Sequence, residues 1–308
     1  MKKVFLIITL VLSAIGLMAC GSKGTVEPAI KVYTRDTTSG TRDGFFTTIG
    51  FADAIKDNTV LVSGYVEVPG NGEMISSLKN DEHGIGYISL SSLANSTLKG
   101  LKYNDVDPTE ANVINGTYKL TRNFNYAVRS EFESTKEQQI VEAFEAYLST
   151  KEGKGTIKAN DGITTINATD PSWDDIKANY PIHSEDNSAI TIKFGGSTSV
   201  EKIAKALSGE FKLKCGNFKV EHNHTGSGDA FKRTQGTEKD KANKLHIAFA
   251  SREFKLTDTE QLATGTYGKI CTDAIVAVVN SKNSLKNISS ETLKGIYDGT
   301  ITKWKELE

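Results

Sequence analysis

Arg35, Ser39, Gly40 and Thr41 fall within one short stretch, Tyr33-Thr34-Arg35-Asp36-Thr37-Thr38-Ser39-Gly40-Thr41-Arg42. That set suits a small oxyanion. A guanidinium offers two parallel N–H bonds, the hydroxyls of Ser39 and Thr41 add donors, and Gly40 lets a ligand approach the backbone. An N-capped helix beside a surface arginine is the competing reading of the same residues. The device recurs at Phe194-Gly195-Gly196-Ser197-Thr198-Ser199-Val200 and at His224-Thr225-Gly226-Ser227-Gly228-Asp229-Ala230. Ser251 stands at the end of a further apolar run, Leu245 to Ala250.

The elements around these residues follow from hydrophobic spacing. Ile30, Val32 and Tyr33 end a strand, and the apolar Phe45 and Phe46 open a helix after the polar loop. Ile190 to Ile192 precedes the second loop, which leads into a helix with Val200, Ile203, Ala204 and Leu207 on one face. Leu61 to Val68 reads as a strand, turned by Pro69-Gly70-Asn71-Gly72 into a helix over 73–78. Gly84 to Leu90 and Ala274 to Asn280 read as buried strands. Ile140, Val141, Phe144, Tyr147 and Leu148 mark a helix expected to end at Gly153, and Ser290 to Tyr297 marks another. In open α/β sheets ligands collect beyond the carboxyl ends of strands, where all four hydroxyl-bearing segments are expected.

Taken together these stretches resemble the PstS-type phosphate-binding lipoproteins of phosphate ABC transporters. The resemblance rests on Gly196-Ser197-Thr198-Ser199-Val200, Ala250-Ser251-Arg252-Glu253, Ile85-Gly86-Tyr87-Ile88-Ser89-Leu90, the Arg35 to Arg42 loop, Asn115 to Arg122, and Leu293 to Trp304. It implies an α/β fold of two lobes, the type II periplasmic-binding-protein fold, with the ligand cleft between them. It further implies lobe II at 30–92 and 279–308 and lobe I at 93–278. Arg35, Ser39, Gly40 and Thr41 would then bind phosphate from lobe II, and Thr198, Ser199, Ser227 and Ser251 from lobe I. The implied action is capture by hinge closure and delivery to a membrane permease, without catalysis, metal or cofactor. In the family the segment ending in Ile-Thr-x-Trp runs directly into the Ser-Gly-Thr-Arg loop, whereas here Trp304 closes the chain and Arg35 opens it. The order thus reads as a circular permutation, which folds tolerate where termini meet at the surface.

Four positions depart from the family pattern. Ser251 stands where some members carry an Asp that accepts the proton of hydrogen phosphate, and Asp229 or Glu253 is the substitute acceptor nearby in sequence. Thr37 and Thr38 replace an acidic residue and a glycine of the loop. Asp229 replaces a small residue at a helix start, where it caps the helix but brings negative charge toward an anion.

Composition sets the compartment and excludes some partners. The 308 residues are 38% hydrophobic and 24% charged with a formal net charge of -1 and no basic run, which argues against nucleic acid as a partner. Met1-Lys2-Lys3 and the apolar run to Ala19 read as a signal peptide over 1–19, and Leu17-Met18-Ala19-Cys20 resembles a lipobox with Cys20 as the lipidated residue. Residues 20–29 would then tether a monomer to the extracytoplasmic face of a bacterial cell membrane. Cys215 and Cys271 are open to a disulfide or to two buried thiols. His222 and His224 lack a third metal ligand in the surrounding sequence. Another oxyanion binder or sensor, a phosphate-ester hydrolase, and a surface lipoprotein without a ligand are the alternatives. A hydrolase needs a metal cluster or activated nucleophile that the motifs do not supply.

Overall fold

The structure, a computed structural model, describes residues 28–307. The signal segment 1–19 and Cys20 lie outside the described residues. Strands β1 (Lys31–Arg35), β2 (Val66–Val68), β3 (Gly84–Ser89), β4 (Lys99–Gly100), β5 (Lys102–Tyr103), β6 (Thr121–Val128), β7 (Thr191–Gly196), β8 (Lys219–His224), β9 (Ile247–Ala250), β10 (Tyr267–Val279) and β11 (Asn287–Ile288) alternate with helices. The helices are α1 (Gly40–Thr48), α2 (Asn71–Lys79), α3 (Leu90–Leu93), α4 (Glu110–Ile114), α5 (Thr135–Leu148), α6 (Lys151–Ala159), α7 (Trp173–Ile176), α8 (Glu201–Lys214), α9 (Asp229–Thr234) and α10 (Ser290–Asp298).

The sheet runs in the order β2-β1-β3-β10-β6-β9-β7-β8, with β4 also on β10. Strand β10 joins two halves. Tyr267 to Ala274 pairs antiparallel with β6, and Ile275 to Val279 pairs antiparallel with β3. Its last seven residues are all buried, as a strand covered on both faces requires. One half packs Val32, Phe45, Phe46, Tyr87, Ile275, Leu293 and Tyr297 together. The other packs Phe124, Phe144, Phe194, Ile203, Leu207, Phe211 and Phe249. Each is apolar material of the kind that drives folding through burial.

Several expectations give way to packing. The first core includes Leu101, Tyr103, Val113, Tyr118 and Leu120, which follow Ser92 in the chain, and also Ile163. The Asn115 to Leu120 stretch accordingly belongs with β1 and β3, and the Tyr118 hydroxyl donates to the Ile275 carbonyl at 2.8 Å. Over 61–68 only Val66–Val68 forms a strand. Gly64 has a positive φ of 81°, and the Val62 N–H donates to Tyr297 instead of to a sheet. Helix α5, opened by a capping box of Ser134 and Glu137, ends at Leu148, and Gly153 lies inside the next helix, α6. Among the described residues no helix is long and apolar enough to cross a membrane. The described ends meet: the Ile30 N–H donates to the Thr302 carbonyl at 2.7 Å, and Ala29 bridges Lys303.

Candidate functional site

Four strands end at one place. Arg35 is the last residue of β1, Gly196 of β7, His224 of β8 and Ala250 of β9, so the loops that follow them converge between the two halves of the sheet. The eight residues singled out from the sequence are brought together there. Ser39 is the N-cap of α1 and accepts from the Thr41 and Arg42 N–H groups at 3.2 and 3.4 Å, leaving its own hydroxyl proton to donate. The hydroxyls of Thr41 and Ser199 meet at 3.0 Å across the interface. Ser227 and Ser251 share a hydroxyl contact at 3.0 Å, and the Ser251 N–H donates to Ser227 Oγ. A Cβ on Gly40 would stand 2.6 Å from Ser227 Oγ and 2.7 Å from Ser251 Oγ, so only glycine permits the two sides to meet there.

Arg35 is the centre of the electrostatics. Its side chain is 1% exposed, Nη2 donates to the Pro69 carbonyl at 2.7 Å and reaches Thr198 Oγ1 at 3.4 Å, yet Nε and Nη1 have no partner. A buried cation with two idle donors is costly unless an anion completes it. Burial pushes the guanidinium below its usual value, but such a group stays charged at neutral pH. Its backbone is fixed as well: Tyr87 Oη accepts from the Arg35 N–H, and Arg42 Nη1 donates to the Arg35 carbonyl at 2.7 Å. Arg42, with its remaining donors on Ala54 and Asn58, therefore braces the loop and is not a ligand group.

Asn71 joins the site although sequence reasoning left it in a turn. Its Nδ2 donates to Ser199 Oγ at 3.0 Å, and its buried Oδ1 has no partner. The signal was available, since Pro69-Gly70-Asn71-Gly72 is another strand-to-helix loop, from β2 into α2. A second group missed from sequence is the buried pair of Arg122 and Asp273, with Nε to Oδ2 at 2.9 Å. Asp273 also accepts from Ser89, whose hydroxyl meets that of Ser91. Arg122 and Ser251 line a cavity of about 510 Å³ at the outer edge of the site, with Asp43, Thr47 and Lys255.

The two acceptors considered in place of an Asp at position 251 point elsewhere. Asp229 accepts from Thr225 and lies 3.7 Å from Arg233, and Glu253 accepts from Asn123 and Asn125. His222 and His224 hydrogen-bond each other at 3.1 Å, and His224 Nδ1 donates to the Ser197 carbonyl. The ring that accepts in the His222–His224 contact is neutral, and burial with the adjacent His224 holds His222 down to about 4. Cys215 and Cys271 are both free and buried, and burial raises both thiols.

Two α/β halves of one sheet, with four strand ends meeting between them, form a PBP-like fold. Residues 181–308 match the family described as the PBP superfamily domain. Over its whole length the chain is similar to PstS-type phosphate-binding proteins. It is 25% identical over 314 residues to the phosphate-binding protein PstS 2 of Streptococcus pneumoniae serotype 4, covering 100% of this chain and 99% of that one. It is 27% identical to PstS 2 of Streptococcus agalactiae serotype V, covering 96% and 94%. The crystal structure of a phosphate ABC transporter, phosphate-binding protein from Streptococcus pneumoniae TIGR4 superposes with a TM-score of 0.63 at 24% identity, over 91% of this chain and all of that one. These alignments run end to end, so the order of segments read as a permutation is no difference between this chain and these relatives.

Proposed function

We propose that this protein is an extracytoplasmic binding lipoprotein that captures inorganic phosphate and presents it to the permease of an ABC importer. The observation that carries the reading is the Arg35 guanidinium, buried with Nε and Nη1 unpartnered among hydroxyls from both halves of the sheet. The names of the full-length relatives support phosphate as the anion. Arg35, Ser39, Gly40 and Thr41 hold the ligand from one lobe, and Thr198, Ser199, Ser227 and Ser251 from the other. One core, from Ile30 to Leu120 with Ala274 to Tyr297 and Ile163, and a second, from Phe124 to Cys271, support a two-lobe reading. Contacts such as Thr41 with Ser199 and Thr38 with Gly228 form only when the lobes meet, so ligand that bridges them stabilises the closed form. No reaction follows capture. Lipid on Cys20 anchors the chain, as a monomer, to the outer face of the membrane.

The test is the thermal midpoint of the protein freed of bound anion, with phosphate, with sulfate and with neither. Phosphate at about a hundred times its dissociation constant adds roughly 2.7 kcal/mol. A rise with phosphate and none with sulfate supports the reading. Equal rises point to a general oxyanion binder, and no rise with either removes the transport role.

A further inference from the structure

We infer that the site also takes phosphate monoesters of small polyols, with the phosphoryl group on Arg35 and the polyol in the cavity beyond Ser251. This rests on the reading of the site as a phosphate cradle and extends it to a larger ligand. The cavity lined by Ser251 and Arg122 has a volume of about 510 Å³. A water molecule takes up roughly 30 Å³, so a bare tetrahedral anion leaves such a space unused, whereas pockets for organic ligands run to about 300–1,000 Å³. The space persists although the lobes already touch, Thr41 against Ser199 and Thr38 against Gly228. Closure therefore does not fill it.

Helix α1 connects cradle and cavity. Gly40 lies against Ser227 and Ser251, and Asp43, Gly44 and Thr47 follow it at helical spacing on the same face and line the cavity. Ser251 belongs to both, so a group attached to one oxygen of the anion has a route out of the cradle along α1. The side chain at that junction suits an ester. A monoester keeps a doubly charged phosphoryl group near neutral pH, with terminal oxygens for Arg35 and the hydroxyls, but its bridging oxygen carries carbon and no proton. A carboxylate facing that oxygen would repel it, whereas a hydroxyl donates to it. Ser227 Oγ accepts the Ser251 N–H and can give its own proton to Ser251 Oγ, which leaves the Ser251 proton for the ligand. The lining then selects the attached group. Around the cavity the Asp43 carboxylate, the Lys255 ammonium and the hydroxyls of Thr47 and Thr121 hold no hydrogen bond or ion pair among the described residues. An acceptor, a donor and two groups that serve as either match the hydroxyls of a polyol, each of which donates and accepts.

The test is titration calorimetry of inorganic phosphate, and of glycerol 3-phosphate freed of inorganic phosphate, on the unsubstituted chain and on Thr47→Trp. Thr47 is exposed on α1, so the indole occupies the cavity without entering the core, and an unchanged ligand-free thermal midpoint confirms folding. The expected result is that the unsubstituted chain binds both ligands with affinities within about tenfold of each other. Thr47→Trp is expected to weaken glycerol 3-phosphate about tenfold or more, as overfilling of a shaped space does, and to leave phosphate within about twofold. Binding of phosphate without binding of glycerol 3-phosphate overturns the proposal and leaves the phosphate reading intact. Ester binding that Thr47→Trp leaves unchanged, or that falls only in step with phosphate binding, overturns it as well, because the cavity then gives the polyol nothing of its own. Failure of the unsubstituted chain to bind either ligand is the separate outcome that overturns the phosphate reading, and this proposal with it.

Discussion

Arg35 is stable in the fold only at a cost. Its guanidinium is out of water with two donors idle, and the nearest carboxylate, Asp36, stands 3.8 Å away. A buried charge without full pairing destabilises a protein, whereas an apolar side chain of similar length is neutral or better at such a position. Replacement of Arg35 by Met is therefore expected to leave the ligand-free thermal midpoint unchanged or raised while weakening phosphate binding about a hundredfold or more, as the loss of two charge-assisted bonds of roughly 1.5–3 kcal/mol each implies. Calorimetry on the same samples decides it. A Met variant that binds phosphate within a few-fold of the original places the anion elsewhere. Ser39 shows why residue types alone left two readings open: it caps α1 and yet keeps a hydroxyl proton for a ligand, so both readings of the stretch hold at once.

At the scale of elements, the loops that mattered were legible because strand, glycine, hydroxyl and helix follow one another in a fixed order. Ser197 to Ser199 after β7 and Ser227 after β8 were placed by that order, and Asn71 after β2 was missed although it obeys it. What could not be read were features decided by distant packing. Gly64 breaks the strand pattern because Val62 bonds to Tyr297, far along the chain. Gly153 looked like a helix stop, but it serves as the contact between α5 and α6. A Cβ there would lie 2.1 Å from the Tyr147 carbonyl oxygen, so the glycine is needed for closeness and not for termination. Substituting Ala for Gly153 normally favours a helix by up to about 1 kcal/mol. Here the clash dominates, and Gly153→Ala is expected to destabilise the protein by about 1–3 kcal/mol in urea unfolding. A stabilised variant would show that α6 shifts freely against α5.

Over the whole molecule the two halves are joined where β6 begins and midway along β10, and the buried Arg122 and Asp273 face each other across those strands. Asp273 also reaches β3 through Ser89, and Ser91 continues to the Ser199 carbonyl at 3.5 Å, so one carboxylate touches both strand crossings and the loop that carries the anion contacts. The sequence showed neither residue as special, because cross-strand partners 151 positions apart become neighbours only through the register of the sheet. Burial works against charge on both groups, and each offsets that cost for the other. Removing one partner then leaves a naked charge in the core. Asp273→Ala is expected to lose about 3–5 kcal/mol of stability, and the double variant Arg122→Met with Asp273→Leu to recover most of it. Urea unfolding of Arg122→Met, Asp273→Leu and the double variant measures the coupling. If the double variant is as unstable as Asp273→Ala, the ion pair itself holds the strands together. If it recovers stability but phosphate then fails to raise the thermal midpoint as it does in the original chain, the pair serves closure of the lobes, because the charge has become dispensable for folding while the link from the crossing strands to Ser199 has been cut.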